Sequence, residues 1–474
     1  MSDTQTVQAG ENAAFDAASR SGIIAWVRAN LDGEVTAITR LERWRPQWKV
    51  DFTVDGESRA VLFRGNRPIA GANDLRFEME VMQVLHANGI KVPRIYGWVD
   101  EPIAFVMDWV DTDDRAPGML HTAIDNPTTM SDERWQAMLN YMTDLAAVHA
   151  VPVDQFTGVK RLSNPPAGEK QVALHATEFM YRLGSQMGKI DPVFEFLQQW
   201  LRRNVPAGRD KVSFIAGDAG QFMSAGTEVL ALLDFEIANL GDTHWDLACF
   251  RGRHPYENMG DIPALYREYA RVTGETVDLR AVGYHTVNFL QLSGIGAQFF
   301  REAWAQGANW IEGAMEYGSI TRRAYEAIAE LQSIPLDYDL RLPEPVDKPW
   351  EVSGLEKLMA DITRLPTSDA FEEWERELLH AIPDFLLSYS RYRDWFEQET
   401  RRDLEQVLNQ SFEDLASADA AAMTAIAQEQ GSDIEWVQAL HKRALRFSMI
   451  VAGANPDTGN PLFHRLDPIL GQSQ

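Results

Sequence analysis

The sequence predicts an α+β protein: a small β-rich lobe, then a helical lobe, then an additional all-helical C-terminal region. Apolar and polar residues alternate in several stretches before Asp108, which is typical of strands. From about Asp132 onward the apolar residues recur at helical spacing. The prolines between Pro335 and Pro349 interrupt this pattern, which resumes from Val352 to Met449.

The first lobe is predicted to hold five strands and an inserted helix. Arg64 closes its third strand, and Glu78 lies near the start of the inserted helix. Asp55 and Gly56 form a predicted hairpin turn between the second and third strands. In chain order, the predicted elements are helix Ala13–Asn30, strands Thr36–Leu41, Trp48–Val54 and Arg59–Phe63, helix Leu75–Ala87, and strands Val92–Trp98 and Ile103–Met107.

With 474 residues, the chain is too long for one ordinary hydrophobic core. We expect an N-terminal lobe over residues 13–112, a helical lobe over 113–334, a proline-rich linker over 335–350 and a helical C-terminal module over 351–474. This module is expected to pack on the main body or on another subunit, and the second arrangement would produce a homo-oligomer.

Composition excludes several classes of protein. The formal net charge of −26 argues against nucleic acid as a partner, although a local cation cluster or a metal could still hold a phosphorylated ligand. No apolar run is long enough for a transmembrane helix, so no membrane partner is expected. The first residues do not form a secretory signal, which favours a cytoplasmic location. Cys249 is the single cysteine, which rules out an intrachain disulfide and a cysteine-based zinc site.

Two aspartates follow short apolar stretches near the middle of the chain. Asp218 enters a glycine-containing loop after Phe214 and Ile215, and Asp234 follows the apolar run from Val229 to Leu233. Each carboxylate thus leaves a predicted buried strand, and the two can face one another across a hairpin-like loop. Such a pair suits phosphoryl transfer, in which one carboxylate orients a hydroxyl and the other holds a divalent metal.

Residues 20–330 resemble the aminoglycoside phosphotransferase and choline kinase branch of the protein-kinase-like fold. The C-terminal region shows no such resemblance. Five segments carry the resemblance of residues 20–330 to this family. They are Phe105–Met107 as the strand entering the interlobe hinge, Leu145–His149 as an "LxxLH" helix end, Ala216–Asp218 in place of His-Gly-Asp, Asp234–Glu236 as a metal-binding "DWE", and Leu240–Ala248 as "LGDPxxDLA".

The resemblance implies a two-lobed enzyme that transfers the γ-phosphoryl group of ATP to a hydroxyl of a small molecule. It implies that Asp218 orients that hydroxyl and accepts its proton, and that Asp234 holds Mg²⁺ at the nucleotide phosphates. Arg64 would replace the third-strand lysine and pair with Glu78. Met107 would lie beside the nucleotide at the hinge.

The sequence departs from the family pattern in the catalytic loop. Ala216 replaces a histidine, and Met223 occupies the position of the asparagine that would be the second metal ligand. A thioether is a poor ligand for magnesium. Gln221 carries the same amide oxygen on a longer arm, so it either takes the ligand role or faces the core or solvent.

The segment between the first two strands also departs, because Arg40–Trp48 contains no glycine. Backbone amides alone are therefore not expected to hold phosphate there. The cations of Arg43 and Arg45, together with Arg40 and Lys49, either contact phosphate or form a solvated hairpin edge.

Other polar and aromatic residues are expected to have structural roles. Asp242 and Asp246 would brace the loop, and His149 would be buried and hydrogen-bonded. Arg251 and Arg253 would bind an acidic substrate or form surface ion pairs. The aromatic residues expected in the core are Tyr284, Phe289, Phe299, Phe300, Trp304 and Trp310.

A second interpretation remains open: a nucleotide-binding protein that has lost turnover and acts as a scaffold or regulator. Ala216, Met223 and the missing glycine loop favour it, whereas the retained Asp218 and Asp234 favour the enzyme. The sequence does not identify the phosphate acceptor.

Overall fold

The structure is a computed structural model that describes residues 18–43, 45–67, 72–112, 114–115, 129–301 and 310–471. The predicted start of the first helix at Ala13, as well as Trp304 and the side chain of Phe300, lie outside this part of the chain. Residues 18–31 are helical and are called α1 here. No helix among the described residues is both long enough and apolar enough to cross a membrane.

The N-terminal lobe is an antiparallel five-stranded sheet with the strand order β1-β2-β3-β5-β4. This confirms the five predicted strands and the helix between the third and fourth. Its elements are β1 (Glu34–Arg40), β2 (Gln47–Val54), β3 (Glu57–Gly65), α2 (Ala72–Ala87), β4 (Ile95–Asp100) and β5 (Ile103–Asp108).

Side-chain alternation along β3 decides which residues reach the site. Val61 and Phe63 pack with Ile23 and Val27 of α1 on one face of the sheet. Leu62 belongs to the core on the other face, which includes residues of α2. Since successive side chains of a strand point to opposite faces, Arg64 lies on the α2 side together with Leu62. The lobe therefore presents the Arg64 side chain toward α2 and the second lobe.

The second lobe is mainly helical and carries short strands on either side of Asp218 and Asp234. Its described elements are β6 (Asp114–Arg115), α3 (Asp132–Ala150), α4 (Glu169–Gln186), α5 (Pro192–Arg203), β7 (Ser213–Ile215), β8 (Phe222–Ala225), β9 (Glu228–Leu232), β10 (Asn239–Gly241), α6 (His244–Arg253), α7 (Ile262–Thr273), α8 (Leu279–Arg301) and α9 (Trp310–Gln332).

The C-terminal region consists of four helices, α10 (Pro349–Thr363), α11 (Ala370–Leu408), α12 (Leu415–Ala427) and α13 (Asp433–Ala452). It packs on the main body, which is the first of the two expected arrangements. Phe447 of α13 lies edge-to-face against Tyr317 of α9, with ring centroids 5.1 Å apart. Their side chains belong to one continuous hydrophobic core. The region also reaches the first lobe, where the Arg40 guanidinium lies 4.4 Å from the ring centroid of Phe371. The domain boundaries and a homo-oligomer stay predictions.

Candidate active site

The loop after β7 has a backbone that requires glycine. Gly217 has φ +84, and a Cβ atom there would lie 2.2 Å from the carbonyl oxygen of Ile237. Asp234, a non-glycine residue, also adopts a left-handed conformation, with φ 66. This conformation is uncommon outside glycine, and such strain concentrates at functional sites. Asp218 therefore follows a residue that must be glycine, and Asp234 itself has a left-handed backbone, so both aspartates lie in loops of restricted conformation.

Asp246 holds the backbone of this loop in place, as expected. Its carboxylate accepts hydrogen bonds from the backbone N–H groups of Ala216 at 2.7 Å and Gly217 at 2.9 Å. His149 Nε2 lies 2.9 Å from the same carboxylate, which confirms that this histidine is buried and hydrogen-bonded. Asp242 has a similar bracing role, because it pairs with Arg209 and lies 3.1 Å from His285 Nε2. Although Ala216 lacks an imidazole, its backbone is therefore firmly held.

Asp218 is bound by Arg253, which was expected either to bind an acidic substrate or to form a surface ion pair. Arg253 donates to one carboxylate oxygen through Nε at 3.0 Å and to the other through Nη2. The same guanidinium also pairs with Glu257. Burial raises the pKa of Asp218, while the charge of Arg253 opposes that shift. Asp218 therefore lies in a desolvated position beside a fixed cation.

The expectation of surface ion pairs for Arg251 and Arg253 was wrong. Both residues lie within α6 rather than after it, and only 2% of Arg251 and 12% of the Arg253 side chain are exposed. Arg251 pairs with Glu330 of α9. A sequence signal existed, because Arg253 follows Asp246 by two helical turns and therefore shares its face of α6.

Gln221 lies between the two aspartates. Its Nε2 atom is 2.9 Å from Asp218 Oδ2 and 3.2 Å from Asp234 Oδ2. The Leu233 N–H donates to the Gln221 carbonyl at 3.0 Å, so the hairpin places this glutamine next to the end of β9. Gln221 therefore lies inside the site, and its role as a metal ligand stays a prediction.

Asp234 is connected to the first lobe through a buried ion-pair network. Arg64 contacts both Glu78 oxygens at 2.8 Å and Asp234 Oδ1 at 2.9 Å. The predicted contact between Arg64 and Glu78 is thus present. Burial alone would lower the pKa of Arg64, but the two carboxylates outweigh burial and raise it. Because β3 and α2 supply Arg64 and Glu78, this network ties the lobes together at Asp234.

Glu236 is a third carboxylate that the site predictions omitted. It pairs with Arg45 and with Arg67, which lies just after β3. Burial alone would raise the pKa of Glu236, but Arg67 and Arg45 lower it to about 2. The available signal was the third residue of the Asp-Phe-Glu motif, which ends in this carboxylate.

The cations between β1 and β2 take different positions. Arg45 is buried and points to Glu236. Arg43 is half-buried, and burial lowers its pKa while the charges of Glu257 and Asp234 oppose that shift. Lys49 pairs instead with Asp51 at 3.2 Å. Arg43 and Arg45 therefore face the site, whereas the Lys49 ammonium lies 5.1 Å from the ring centroid of Trp109.

Two cavities meet at the aspartates. The larger has a volume of about 880 Å³, and Asp218, Gln221 and Asp234 line it. The smaller measures about 40 Å³, and its lining includes Gln221, Asp234, Met107, Met223 and Trp109. Gln221 and Asp234 thus separate a spacious cavity from a narrow cleft between the lobes.

The aromatic residues of α8 and α9 have mixed positions. Tyr284 is 2% exposed and belongs to the core, as expected. Phe289 belongs to the core and also lines the larger cavity. Phe299 is half-buried, packs against the same core and also lines that cavity. Trp310 packs against Phe385 with ring centroids 5.4 Å apart.

The fold and the site define a two-lobed, protein-kinase-like α+β protein with added C-terminal helices. Residues 44–283 match a model of the phosphotransferase enzyme family known as APH. The match covers half of the chain, and the chain belongs to that family.

Solved structures of several phosphotransferases are similar to this chain at low identity. A macrolide 2′-phosphotransferase type I is 17% identical with a TM-score of 0.46, and the match covers 64% of this chain and 96% of that one. An aminoglycoside phosphotransferase in complex with ADP and hygromycin B is 14% identical with a TM-score of 0.41, covering 64% and 98%. An ethanolamine kinase from Plasmodium vivax is 11% identical with a TM-score of 0.42, covering 60% and 81%. A comparison with curated proteins finds no match.

Proposed function

We propose that this phosphotransferase transfers the γ-phosphoryl group of ATP to a hydroxyl group of a small molecule. The observation that carries the proposal is the convergence of Asp218, Gln221 and Asp234 at one end of the larger cavity. This cavity offers space for an acceptor directly beside the two carboxylates. Phosphoryl transfer depends mainly on positioning and charge neutralisation, and this arrangement supports both.

In this mechanism Asp218 orients the acceptor. The acceptor oxygen forms a bond to the γ-phosphorus, the bond from that phosphorus to the β-γ bridging oxygen breaks, and ADP leaves. Asp218 receives the hydroxyl proton. Arg253 holds the carboxylate by two donors, so one orientation is selected before the acceptor binds.

The donor set at Asp234 fits a magnesium ion. Asp234 and Gln221 provide hard oxygen atoms, which Mg²⁺ prefers, and phosphate and water would complete its coordination. Gln221 must turn its amide so that the oxygen replaces the nitrogen. Within the described ranges, no group of three or more His, Cys, Asp or Glu side chains is arranged to hold a metal. The ion would neutralise phosphate charge.

The nucleotide is assigned to the smaller cleft, beside Met107, Arg64 and Glu78, with Arg43 and Arg45 near its phosphates. A volume of about 40 Å³ accommodates little more than one water molecule. Binding ATP therefore requires the lobes to separate and the side chain of Trp109 or Met223 to move. Arg64 would exchange part of its contact with Asp234 for phosphate oxygens.

The second candidate function is a nucleotide-binding scaffold without turnover. One observation favours it: Asp218 pairs with Arg253, and Asp234 pairs with Arg64. In this alternative, the arginines permanently neutralise the carboxylates that catalysis requires.

Two measurements separate these functions. A thermal-shift assay with ATP and magnesium should show stabilisation that Asp234→Asn abolishes. A screen of hydroxylated compounds should then show acceptor-dependent ADP release that Asp218→Asn loses. Equal ADP release by wild type and Asp218→Asn would reject the catalytic assignment, and nucleotide binding without release would favour the scaffold.

A further inference from the structure

The larger cavity continues away from the aspartates between two helices. On α4, Phe179, Met180 and Leu183 face it, and on α8, Phe289, Leu292 and Phe299 do so. Residues spaced three, four or seven positions apart share one helix face, so each helix contributes an apolar stripe. The cavity separates the two stripes, so these side chains face the cavity. We call these six residues the apolar groove.

The apolar groove is unsuited to a strongly polar ligand. Burying hydroxyl or amino groups against apolar side chains without hydrogen-bond partners costs free energy. Polar side chains, among them Ser293 and Glu316, line other parts of the cavity. The charged residues Asp74, Arg161 and Arg182 also line it and are exposed. Phe179 is 53% exposed, which is a large apolar area to leave uncovered. The groove would gain most from an apolar occupant.

The inner end of the cavity is polar. Asp218 lies there, and Glu257 lies beside the same Arg253. Glu257 is 7% exposed, yet its Oε2 atom has no hydrogen-bond partner among the described residues. A buried carboxylate oxygen without a partner is costly, and a donor group on a ligand would satisfy it. The cavity thus combines the apolar groove with a hydrogen-bonding inner end.

We infer that the phosphate acceptor is an amphiphilic alcohol. Its apolar body lies in the apolar groove, its reacting hydroxyl lies at Asp218, and a second donor group on it binds Glu257 Oε2. The volume of about 880 Å³ is within the range of roughly 300–1,000 Å³ typical of ligand cavities. This inference rests on the proposed function, since it names the acceptor class of the same site.

Straight-chain primary alcohols from 1-butanol to 1-octanol provide a direct probe, with glucosamine as the polar comparison. Calorimetric titration without nucleotide should show affinity rising about fourfold per added methylene, the gain expected for burying each CH₂ group. Glucosamine should bind more weakly than 1-octanol. Equal affinity along the series, or tighter binding of glucosamine, would overturn the inference.

Groove variants localise the effect. Phe179→Asp and Leu183→Asn should reduce the gain per methylene to less than half of the wild-type value. Leu358→Asp is the matched control, because Leu358 is 48% exposed on α10 and does not line the cavity. It should keep the full gradient. An unchanged gradient in both groove variants would place the alcohols elsewhere and refute the assignment.

The proposed function and this inference can fail separately. A steep gradient with no alcohol-dependent ADP release would reject the phosphotransferase function while the groove kept its apolar selectivity. Acceptor-dependent ADP release on polar sugars alone, with no alcohol gradient, would reject the inference and leave the function in place.

Discussion

Arg253 binds Asp218 with two nitrogen atoms and thereby fixes the carboxylate that the proposed mechanism places at the acceptor. The arginine comes from the end of α6, 35 residues beyond Asp218 in the chain. The N-terminal turns of the same helix supply Asp246, which holds the loop backbone at Ala216 and Gly217. One helix therefore positions both the backbone and the side chain of the candidate catalytic residue.

Replacing Arg253 should reduce turnover more than acceptor affinity. Arg253→Ala removes both donors and leaves Asp218 in a cavity with other carboxylates, so we expect kcat to fall about 100-fold. Arg253→Lys keeps the charge but not the planar fork, and should recover part of the loss. Steady-state kinetics with a separate KM determination tests this.

Arg202→Lys is the control, because Arg202 forms a similar two-donor pair with Glu178 outside the cavity lining. A drop in kcat as large as that of Arg253→Lys in this control would contradict the site assignment.

Gln221 should determine the magnesium requirement. Gln221→Ala removes the amide oxygen beside Asp234, so the magnesium concentration for half-maximal activity should rise about tenfold or more. Titration of activity against magnesium measures the change. Gln199→Ala is the control, because it removes a side-chain amide that bonds Glu195 outside both cavity linings, and it should leave the curve nearly unchanged. If the activity of Gln221→Ala depends on the magnesium concentration in the same way as that of wild type and the control, the ligand role of Gln221 is rejected.

The buried pair of Arg64 and Glu78 should matter for stability. Glu78 is 1% exposed, and its removal leaves the Arg64 guanidinium buried with only Asp234 as partner. We expect Glu78→Ala to lower the free energy of unfolding by about 3 kcal/mol, as for other broken buried pairs. Urea denaturation measures it. Glu57→Ala removes an exposed partner of Arg59 and should change little. Equal, small effects of both substitutions would show that the interlobe network contributes no stability.

Acid should weaken the attachment of the C-terminal region. Burial lowers the pKa of His441, so below about 6.5 the unfolded chain binds a proton that the folded chain does not, and stability falls. Burial alone would raise the pKa of Glu326, but Arg322 and His441 lower it to about 2. Its contribution is fully present above 4.5 and is lost between pH 4.5 and about 2.

The free energy of unfolding measured from pH 8 to pH 3 should therefore decline in two stages. Glu326→Gln should make the lower stage smaller, and His441→Gln the upper one. Part of each stage should persist, because burial also lowers the pKa of His244 and His254, and arginines lower the pKa of Glu236 and Asp242 despite their burial. A flat profile in wild type, or an unchanged profile in both variants, would contradict the assignment of this acid sensitivity to the contact between α9 and α13.

Much of the site was predictable because its signals are local. Arg64 at the end of the third strand and Glu78 near the start of the following helix were paired through the family resemblance. Asp218 and Asp234 were recognisable because each follows a short apolar strand and lies in a turn. Gln221 was a candidate because it lies two residues before Met223 and carries the same amide oxygen as the asparagine that Met223 replaces.

Other features depend on contacts between distant segments. The sequence by itself determined the order of strands and helices, the family, and the loop that carries Asp218 and Asp234. Only the tertiary structure decided that Arg253 binds Asp218, that Glu236 takes Arg45 and Arg67 as partners, and that the C-terminal helices join the main core. The physical reason is that hydrophobic periodicity and turn chemistry act over a few residues, whereas an ion pair or a cavity forms only when packing brings remote segments together.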